Sequence, residues 1–272
     1  MVRSLWSAAT GMIAQQTNVD TIAHNLSNVN TTGYKTEVAE FKTLLYQNLQ
    51  TKTTTANGER KPISAQVGLG VRNSSITSIF KQGPFFESSS TSAFAIDGEG
   101  FFAVRTPRGG VQYTRNGNFH WAIGNNGLEL TTSEGLQVLD TNGRPIRLPA
   151  DYVASEVTIS ADGEVCYPDA SNNPQPIGVT IGLFQFQNPS GLEKVSSSLY
   201  SVTPASGQAI NEATTNLAIR RSEVVQGYLE GSGVQVVDEM VNLIVAQRAY
   251  EMNSKAIQAS DDMMGQANQL RR

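Results

Sequence analysis

Residues 234–270 read VQVVDEMVNLIVAQRAYEMNSKAIQASDDMMGQANQL, and the helix that this stretch predicts sets the organisation of the chain. Five apolar residues in it recur at intervals of seven: Val236, Leu243, Tyr250, Ile257 and Met264. Met240 and several alanines widen this row into a stripe. A repeat near 3.5 residues predicts a helix whose apolar seam faces other helices. The helix either packs on its own domain or finds its partner elsewhere, in this chain or in neighbouring copies.

The first 33 residues repeat this pattern. Leu5, Met12, Val19 and Leu26 are seven residues apart, and Ile22 lies in a second row three residues after Val19. Arg3 and Asp20 are the formally charged side chains of this segment. A helix with so few charges is marginal in water on its own. The pattern therefore predicts that both of its faces are covered after assembly and that the free monomer leaves it largely disordered.

Residues 23–35, AHNLSNVNTTGYK, end this first helix. Asn and Thr side chains compete for backbone hydrogen bonds, and Gly33 can adopt the left-handed conformation beyond the last turn. Asn25 and Asn28 lie one turn apart. They mark an ordinary helix end, or they cross-link neighbouring helices, as buried asparagine does when it fixes register.

Between the two helices the pattern is that of β-structure. Residues 36–90 contain two apolar runs around a polar tip at Asn57-Gly58, which predicts an extended ribbon. Residues 91–227 contain five Asp-Gly or Asn-Gly turn signals between short strands, typical of a β-sandwich or barrel. The predicted fold class is α+β. Its three domains are a coiled-coil-like pair of terminal helices (1–35 and 228–272), the ribbon (36–90) and the β-rich domain (91–227).

Composition and motifs argue against several function classes. Charged residues make up only 16% and the net charge is −4, which does not favour nucleic acid or an anionic membrane as a partner. No apolar run is long enough for membrane insertion. Cys166 is the single cysteine, and His24 and His120 lie outside any metal-binding motif. We therefore expect no enzyme, no cofactor, no metal and no cleavable signal peptide.

Three stretches resemble the bacterial flagellar rod and hook family. Residues 23–35 resemble its helix-end signature, from which His24 and Ser27 depart, in the following residues: Asn25, Asn28, Thr32, Gly33, Tyr34 and Lys35. DGEGFFAV (97–104) and YTRNGNF (113–119) resemble motifs of its β domain. The closing stretch from GYLEGSG (227–233) onward resembles its C-terminal helix.

The resemblance implies a structural subunit of the distal rod, which polymerises helically into a rigid hollow shaft that surrounds the export channel and transmits motor torque. The implied partners are other copies of the chain, proximal rod proteins, the hook protein, the P and L rings, a rod cap protein and the flagellar type III export apparatus. The implied location is the basal body in the periplasm. A proximal rod subunit is the first alternative, followed by a hook subunit or a closed phage-tail-like fibre.

The resemblance also implies roles for particular residues. The ribbon around Tyr46, Asn57, Gly58 and Pro62 is similar to a segment that rod subunits carry and hook subunits lack. The heptad residues of the two helices would form the seam between subunits. Asn25 and Asn28 would fix its register.

Overall fold

A computed structural model describes residues 2–50, 65–124, 127–149, 152–169, 173–196, 198–214 and 220–270. The chain divides into two compact units. Unit 1 comprises Met1–Ser27, Glu37–Thr77 and Gln235–Arg272, and unit 2 comprises Asn28–Thr36 and Ser78–Val234. Segments 28–36, 78–90 and 228–234 of the predicted terminal and ribbon domains thus lie in unit 2.

Unit 1 contains the two long helices and a pair of two-stranded sheets. Helix α1 spans Val2–Ser27 and helix α2 spans Val236–Gln269, as the heptad patterns predict. The strands are β1 (Glu37–Thr43), β2 (Tyr46–Gln50), β3 (Ala65–Gly68) and β4 (Val71–Ser78). β1 pairs with β4, and β2 pairs antiparallel with β3.

Unit 2 is built from short strands. They are β5 (Phe85–Glu87), β6 (Phe94–Asp97), β7 (Phe101–Arg105), β8 (Val111–Thr114), β9 (Phe119–Gly124), β10 (Gly127–Thr132), β11 (Gln137–Val138), β12 (Arg147–Leu148), β13 (Thr158–Ile159), β14 (Glu164–Pro168), β15 (Pro174–Thr180), β16 (Leu183–Gln185), β17 (Glu193–Ser196), β18 (Leu199–Ser201), β19 (Ile210–Asn211), β20 (Glu223–Gln226) and β21 (Tyr228–Glu230).

The largest sheet of unit 2 has ten strands, and its main path runs β12-β10-β11-β7-β8-β18-β17. A three-stranded sheet, β13-β14-β15, and the pairs β20-β6 and β21-β5 complete the unit. One core cluster includes Phe94, Phe102, Phe119 and Leu130, all almost fully buried. A second, aromatic cluster lies around Phe101 and Tyr200. The β6 and β7 strands are buried along nearly their whole length because they supply side chains to these clusters.

Of the five predicted turns, those at Asn142-Gly143 and Asp162-Gly163 are confirmed. Gly143 and Gly163 have positive φ and lie between antiparallel partners, as tight turns require. In the turn predicted at Asn126-Gly127, Asn126 lies outside the described residues. The hairpins predicted at Asp97-Gly98 and Asn116-Gly117 are wrong. At Gly117 the reason for glycine is close approach instead, because a Cβ there would lie 1.7 Å from the Phe94 carbonyl oxygen.

The α+β class is confirmed, with two terminal helices and many antiparallel strands. In the described part of the chain the strands form open sheets. No helix among the described residues is long and apolar enough to cross a membrane.

Candidate assembly site

The two helices of unit 1 contact each other along a row of small and polar residues. Ser4 Oγ lies 3.2 Å from Ser260 Oγ, Gly11 abuts the Asn253 side chain, and Asn25 Nδ2 lies 3.3 Å from Glu239 Oε1. Successive contacts are separated by 7 and 14 residues on both helices, so the helices run antiparallel in a heptad register. The buried Ala246 lies in the same row of α2.

The large heptad residues that the sequence assigns to the seam lie beside this row. Ile22 is buried, whereas Leu5, Met12, Val19, Leu26, Leu243, Ile257 and Met264 are half-buried, and Val236, Met240 and Tyr250 are exposed. The helix contact within the chain therefore uses small and polar side chains, and of the large heptad residues only Ile22 is buried. Their role between subunits stays a prediction.

The opposite face of α2 is also apolar in its first half. Val237, Val241 and Ile244 are spaced by four and three residues and are 74%, 55% and 55% exposed. At 100° per residue this row lies opposite Ala246. On α1, Trp6 and Ile13 are one heptad apart and each 66% exposed. A helix that is apolar on two faces is typical of one buried in a larger assembly.

Asn25 joins three segments of unit 1. It is 1% exposed, its Nδ2 donates to the Glu37 carbonyl at 2.8 Å, and its Oδ1 accepts from the Glu37 N–H at 2.9 Å. The same Nδ2 reaches Glu239 on α2. The end of α1, the start of β1 and the first turn of α2 therefore meet at one carboxamide.

Glu239 is a buried carboxyl in this arrangement. Burial raises its pKa, the hydrogen bond from Asn25 lowers it, and the neighbouring Asp238 carboxylate raises it, in decreasing order of size. The net direction is upward. Asn25 therefore supplies the polar partner that this carboxyl needs inside the helix pair.

The base of the ribbon is fixed to α1 through Thr10. Thr10 Oγ1 donates to the Ser7 carbonyl at 3.0 Å and accepts from the Val71 N–H at 3.3 Å. Gly70, with φ +113°, lies so close that a Cβ would be 2.2 Å from Thr10 Oγ1. Of the predicted ribbon residues, Tyr46 is exposed in β2, and Asn57, Gly58 and Pro62 lie outside the described residues.

Gly70→Ala is expected to detach the ribbon base from α1, because it combines positive-φ strain with a clash. A control is Gly178→Ala, at φ +81° with no atom within 4 Å of the added Cβ. Positive-φ strain alone costs about 1 kcal/mol. The clash adds to this cost, so the free energy of unfolding of unit 1, measured with urea, should fall by about 2–3 kcal/mol in Gly70→Ala. The second substitution Thr10→Ala should restore part of that loss. If Gly70→Ala in unit 1 and Gly178→Ala in unit 2 lowered the free energy of unfolding of their units equally, the close-packing argument would be contradicted.

The rest of the helix-end motif belongs to unit 2. Thr31 Oγ1 donates to Asn28 Oδ1 at 3.1 Å, and Thr32 Oγ1 donates to Asn116 Oδ1 at 2.9 Å. Gly33 has φ +70°, as the sequence predicts, and a Cβ there would lie 2.8 Å from the Arg115 carbonyl carbon. Tyr34 is buried, with Lys194 Nζ 5.2 Å from its ring centroid.

Lys35, Arg115 and Glu230 form a buried ionic cluster in unit 2. Lys35 Nζ lies 2.6 Å from Glu230 Oε1, and Arg115 NH1 lies 3.3 Å from Glu230 Oε2, with all three side chains at most 2% exposed. Lys35 also donates to the Lys81 carbonyl, and Arg115 NH2 donates to the Gly98 carbonyl. Each member comes from a different motif of the sequence: TTGYK, YTRNGNF and GYLEGSG.

This ionic cluster holds two cations and one anion. Burial, followed by the charge of Arg115, lowers the pKa of Lys35, and Glu230 opposes this shift. Burial also lowers the pKa of Arg115, again opposed by Glu230. Arg115 Nε is buried without a hydrogen-bond partner among the described residues. Glu230 is therefore the group on which the two buried charges depend.

The described residues give no sign of metal chemistry. No group of three or more His, Cys, Asp or Glu side chains among them could hold a metal ion. The arrangement that the structure offers is one of contacts: a helix pair with exposed apolar faces, and a buried ionic cluster.

Comparison with known protein families gives three matches along the chain. Residues 5–35 match the family described as "Flagella basal body rod protein". Residues 95–167 match "Flagellar hook protein FlgE/F/G D1 domain", and residues 225–270 match "Flagellar basal body rod FlgEFG protein C-terminal". The matches contain the helix-end motif, Arg115, Glu230 and all of α2.

Comparison with individual proteins covers the whole chain. It is 45% identical over 274 residues to the flagellar basal-body rod protein FlgG of Borreliella burgdorferi, with all of both chains covered. It is 35% identical to FlgG of Bacillus subtilis and 30% identical to the flagellar hook-basal body complex protein FlhP of the same species, again over both full lengths. The chain therefore belongs to the family of flagellar basal-body rod proteins that includes FlgG.

Proposed function

We propose that this chain is a structural subunit of the distal rod, and that copies of it polymerise helically into a rigid hollow shaft. The shaft transmits motor torque to the hook and surrounds the export channel. The terminal helices form a coiled-coil-like layer in this assembly. Support comes from the family, from the heptad register of α1 and α2, and from the apolar residues on their outer faces.

One observation carries the proposal: the exposed row of Val237, Val241 and Ile244. Within the described chain, α2 turns its small residues toward α1 and this row away from it. Three aliphatic side chains in a row on a helix of a monomer would be costly to leave in water. Neighbouring copies of the same helix pair would cover them.

The family supports a place in the flagellar basal body together with other basal-body components. The finer proposal is that the subunit lies in the periplasm between proximal rod proteins and the hook protein, inside the P and L rings, after export by the flagellar type III apparatus with the help of a rod cap protein. It carries out no catalysis. A proximal position in the rod is the alternative.

Val241→Asp is expected to abolish assembly while leaving the monomer folded, because the residue is exposed before assembly and would be buried after it. Val153→Asp is the matched control, since Val153 is 52% exposed in unit 2 against 55% for Val241. Electron microscopy and sedimentation of both variants at high concentration should show straight tubes for the control alone. Monomer circular dichroism should match the unmodified chain in both.

If Val241→Asp formed tubes at the same critical concentration as the unmodified chain, the proposed contact would be contradicted. Discrete closed particles from the unmodified chain would instead favour a fibre of fixed subunit number. Formation of curved rather than straight tubes would favour a hook-like subunit.

A further inference from the structure

Residues 222–230 connect parts of unit 2 that are far apart in the sequence. We call these residues the closing segment; they include β20 and β21, which follow every other described strand of unit 2 in the chain. β20 pairs with β6, and β21 pairs with β5. On the other edge of β20, the Val224 N–H donates to the Ala161 carbonyl at 2.9 Å. The segment therefore lies between β6 and the residues that follow β13.

Two side chains in the middle of the closing segment extend these connections. Gln226 Nε2 donates to the Thr91 carbonyl at 2.8 Å and to the Val157 carbonyl at 2.9 Å. Gln226 Oε1 accepts from the Ile159 N–H at 2.9 Å. Val224 is 4% exposed and belongs to the main core cluster. One short segment thus completes the core and binds the backbone on both sides of it.

The two ends of the closing segment are buried as well. At its start, Ser222 Oγ accepts from the Gly100 N–H and donates to Glu212 Oε1, both at 2.9 Å. At its end, Glu230 supplies the carboxylate of the ionic cluster. If the rest of unit 2 folded without this segment, the two cations of the cluster would be buried with no counter-charge inside it. Burial of unpaired charges is strongly destabilising.

We infer that unit 2 folds only when the closing segment docks. A ribosome synthesises the chain from its N-terminus, so this segment is made after every other described strand of unit 2. Unit 2 therefore stays open in an incomplete chain. A further consequence rests on the proposed function: a chain that leaves the export channel in the same order would also close unit 2 last.

Hydrogen exchange of the full-length chain below its assembly concentration tests this dependence. If docking is required, the closing segment cannot open while the rest of unit 2 stays folded. The Val224 and Gly227 amides should then be as protected as those of β7 and β10, within about threefold. β15 is the reference, because it is an edge strand of seven residues, none of them buried. Its amides should exchange at least about tenfold faster than those of β20, although β20 has only four residues.

Pulse labelling during refolding from urea tests the order of events in the same chain. Amides of β7 and β10 should become protected in the same kinetic phase as those of Val224 and Gly227. Protection of β7 and β10 in an earlier phase would overturn the inference. So would a closing segment that, at equilibrium, exchanges as fast as β15.

A pair of variants tests whether the closing segment and the rest of unit 2 respond together. Gln226→Ala removes three hydrogen bonds, so protection of the closing segment, β7 and β10 should fall by one common factor, about tenfold to a hundredfold. Gln175→Ala, at an exposed position of β15, is the matched control and should leave that protection unchanged. A loss confined to the closing segment in Gln226→Ala would overturn the inference. These measurements need neither polymerisation nor export, so the inference and the proposed function can fail independently.

Discussion

Glu230→Gln is expected to lower the free energy of unfolding of unit 2 by about 3–5 kcal/mol, because it leaves Lys35 and Arg115 buried without a counter-charge. Urea unfolding can be followed through Trp121, which packs against the main core cluster. Trp6 is the only other tryptophan, so a Trp6→Phe background makes the fluorescence specific for unit 2.

Two variants separate this mechanism from a general sensitivity to substitution. Glu129→Gln makes the same chemical change in the pair with Arg147. Glu129 is largely buried, but Arg147 is 47% exposed, so water screens the cation that is left and the cost should be about 1 kcal/mol. Lys35→Met takes one cation away from the ionic cluster and leaves Arg115 and Glu230 balanced. It should therefore cost clearly less than Glu230→Gln. A cost for Lys35→Met equal to that of Glu230→Gln would contradict the charge argument.

The defect of Glu230→Gln should depend on pH. The pKa of Lys35 is lowered in the folded chain, and loss of Glu230 removes the interaction that opposes this shift. The unfolded chain then binds more protons than the folded chain between the lowered pKa and the ordinary value of 10.5, so stability rises with pH in that range. The difference in free energy of unfolding between Glu230→Gln and the unmodified chain should become smaller as pH is raised from 7 toward 10. In Lys35→Met this dependence should be absent.

The helices could be predicted because their signal is local. Heptads of apolar residues place α2 within two residues of its observed start at Val236 and one of its end at Gln269. The contact row inside the chain could not be predicted in the same way. Hydrophobicity favours Leu5, Met12 and Leu26, but close approach of two helices favours the smaller Ser4, Gly11 and Ala246. Each of these small residues is adjacent in sequence to a larger apolar residue, and that larger residue dominates the hydrophobic pattern.

The ionic cluster could not be predicted from local pattern. Lys35, Arg115 and Glu230 are separated by 80 and 115 residues, and each by itself has the sequence signal of a solvated charge. What they share is a position inside a motif with glycine next to it or two residues away. At Gly33 and Gly231 those glycines permit the close packing that buries the charges. Tight turns at Gly143 and Gly163, by contrast, need only positive φ and were predictable.

Asn25→Asp is expected to destabilise unit 1 by about 2–4 kcal/mol, because a carboxylate cannot donate to the Glu37 carbonyl or to Glu239. It also places a second carboxylate beside the buried Glu239, whose pKa is already raised. Like charges raise both pKa values, so the folded chain binds more protons than the unfolded chain and stability falls as pH rises through those values. Urea unfolding followed by circular dichroism at 222 nm, at pH 4 and pH 7, measures both effects.

Asn28→Asp is the matched control, one turn further along the same motif. Thr31 Oγ1 donates to Asn28 Oδ1, and a carboxylate oxygen accepts this bond equally well. Because Asn28 is only half-buried, Asn28→Asp should cost clearly less than Asn25→Asp. The double variant Asn25→Asp with Glu239→Gln should recover part of the loss, because the amide can donate to the new carboxylate. It cannot recover the bond to the Glu37 carbonyl, so recovery should stop short of full stability. Full recovery of stability would mean that Asn25 acts only through its bond to Glu239. No recovery would mean that its bonds to the Glu37 backbone dominate.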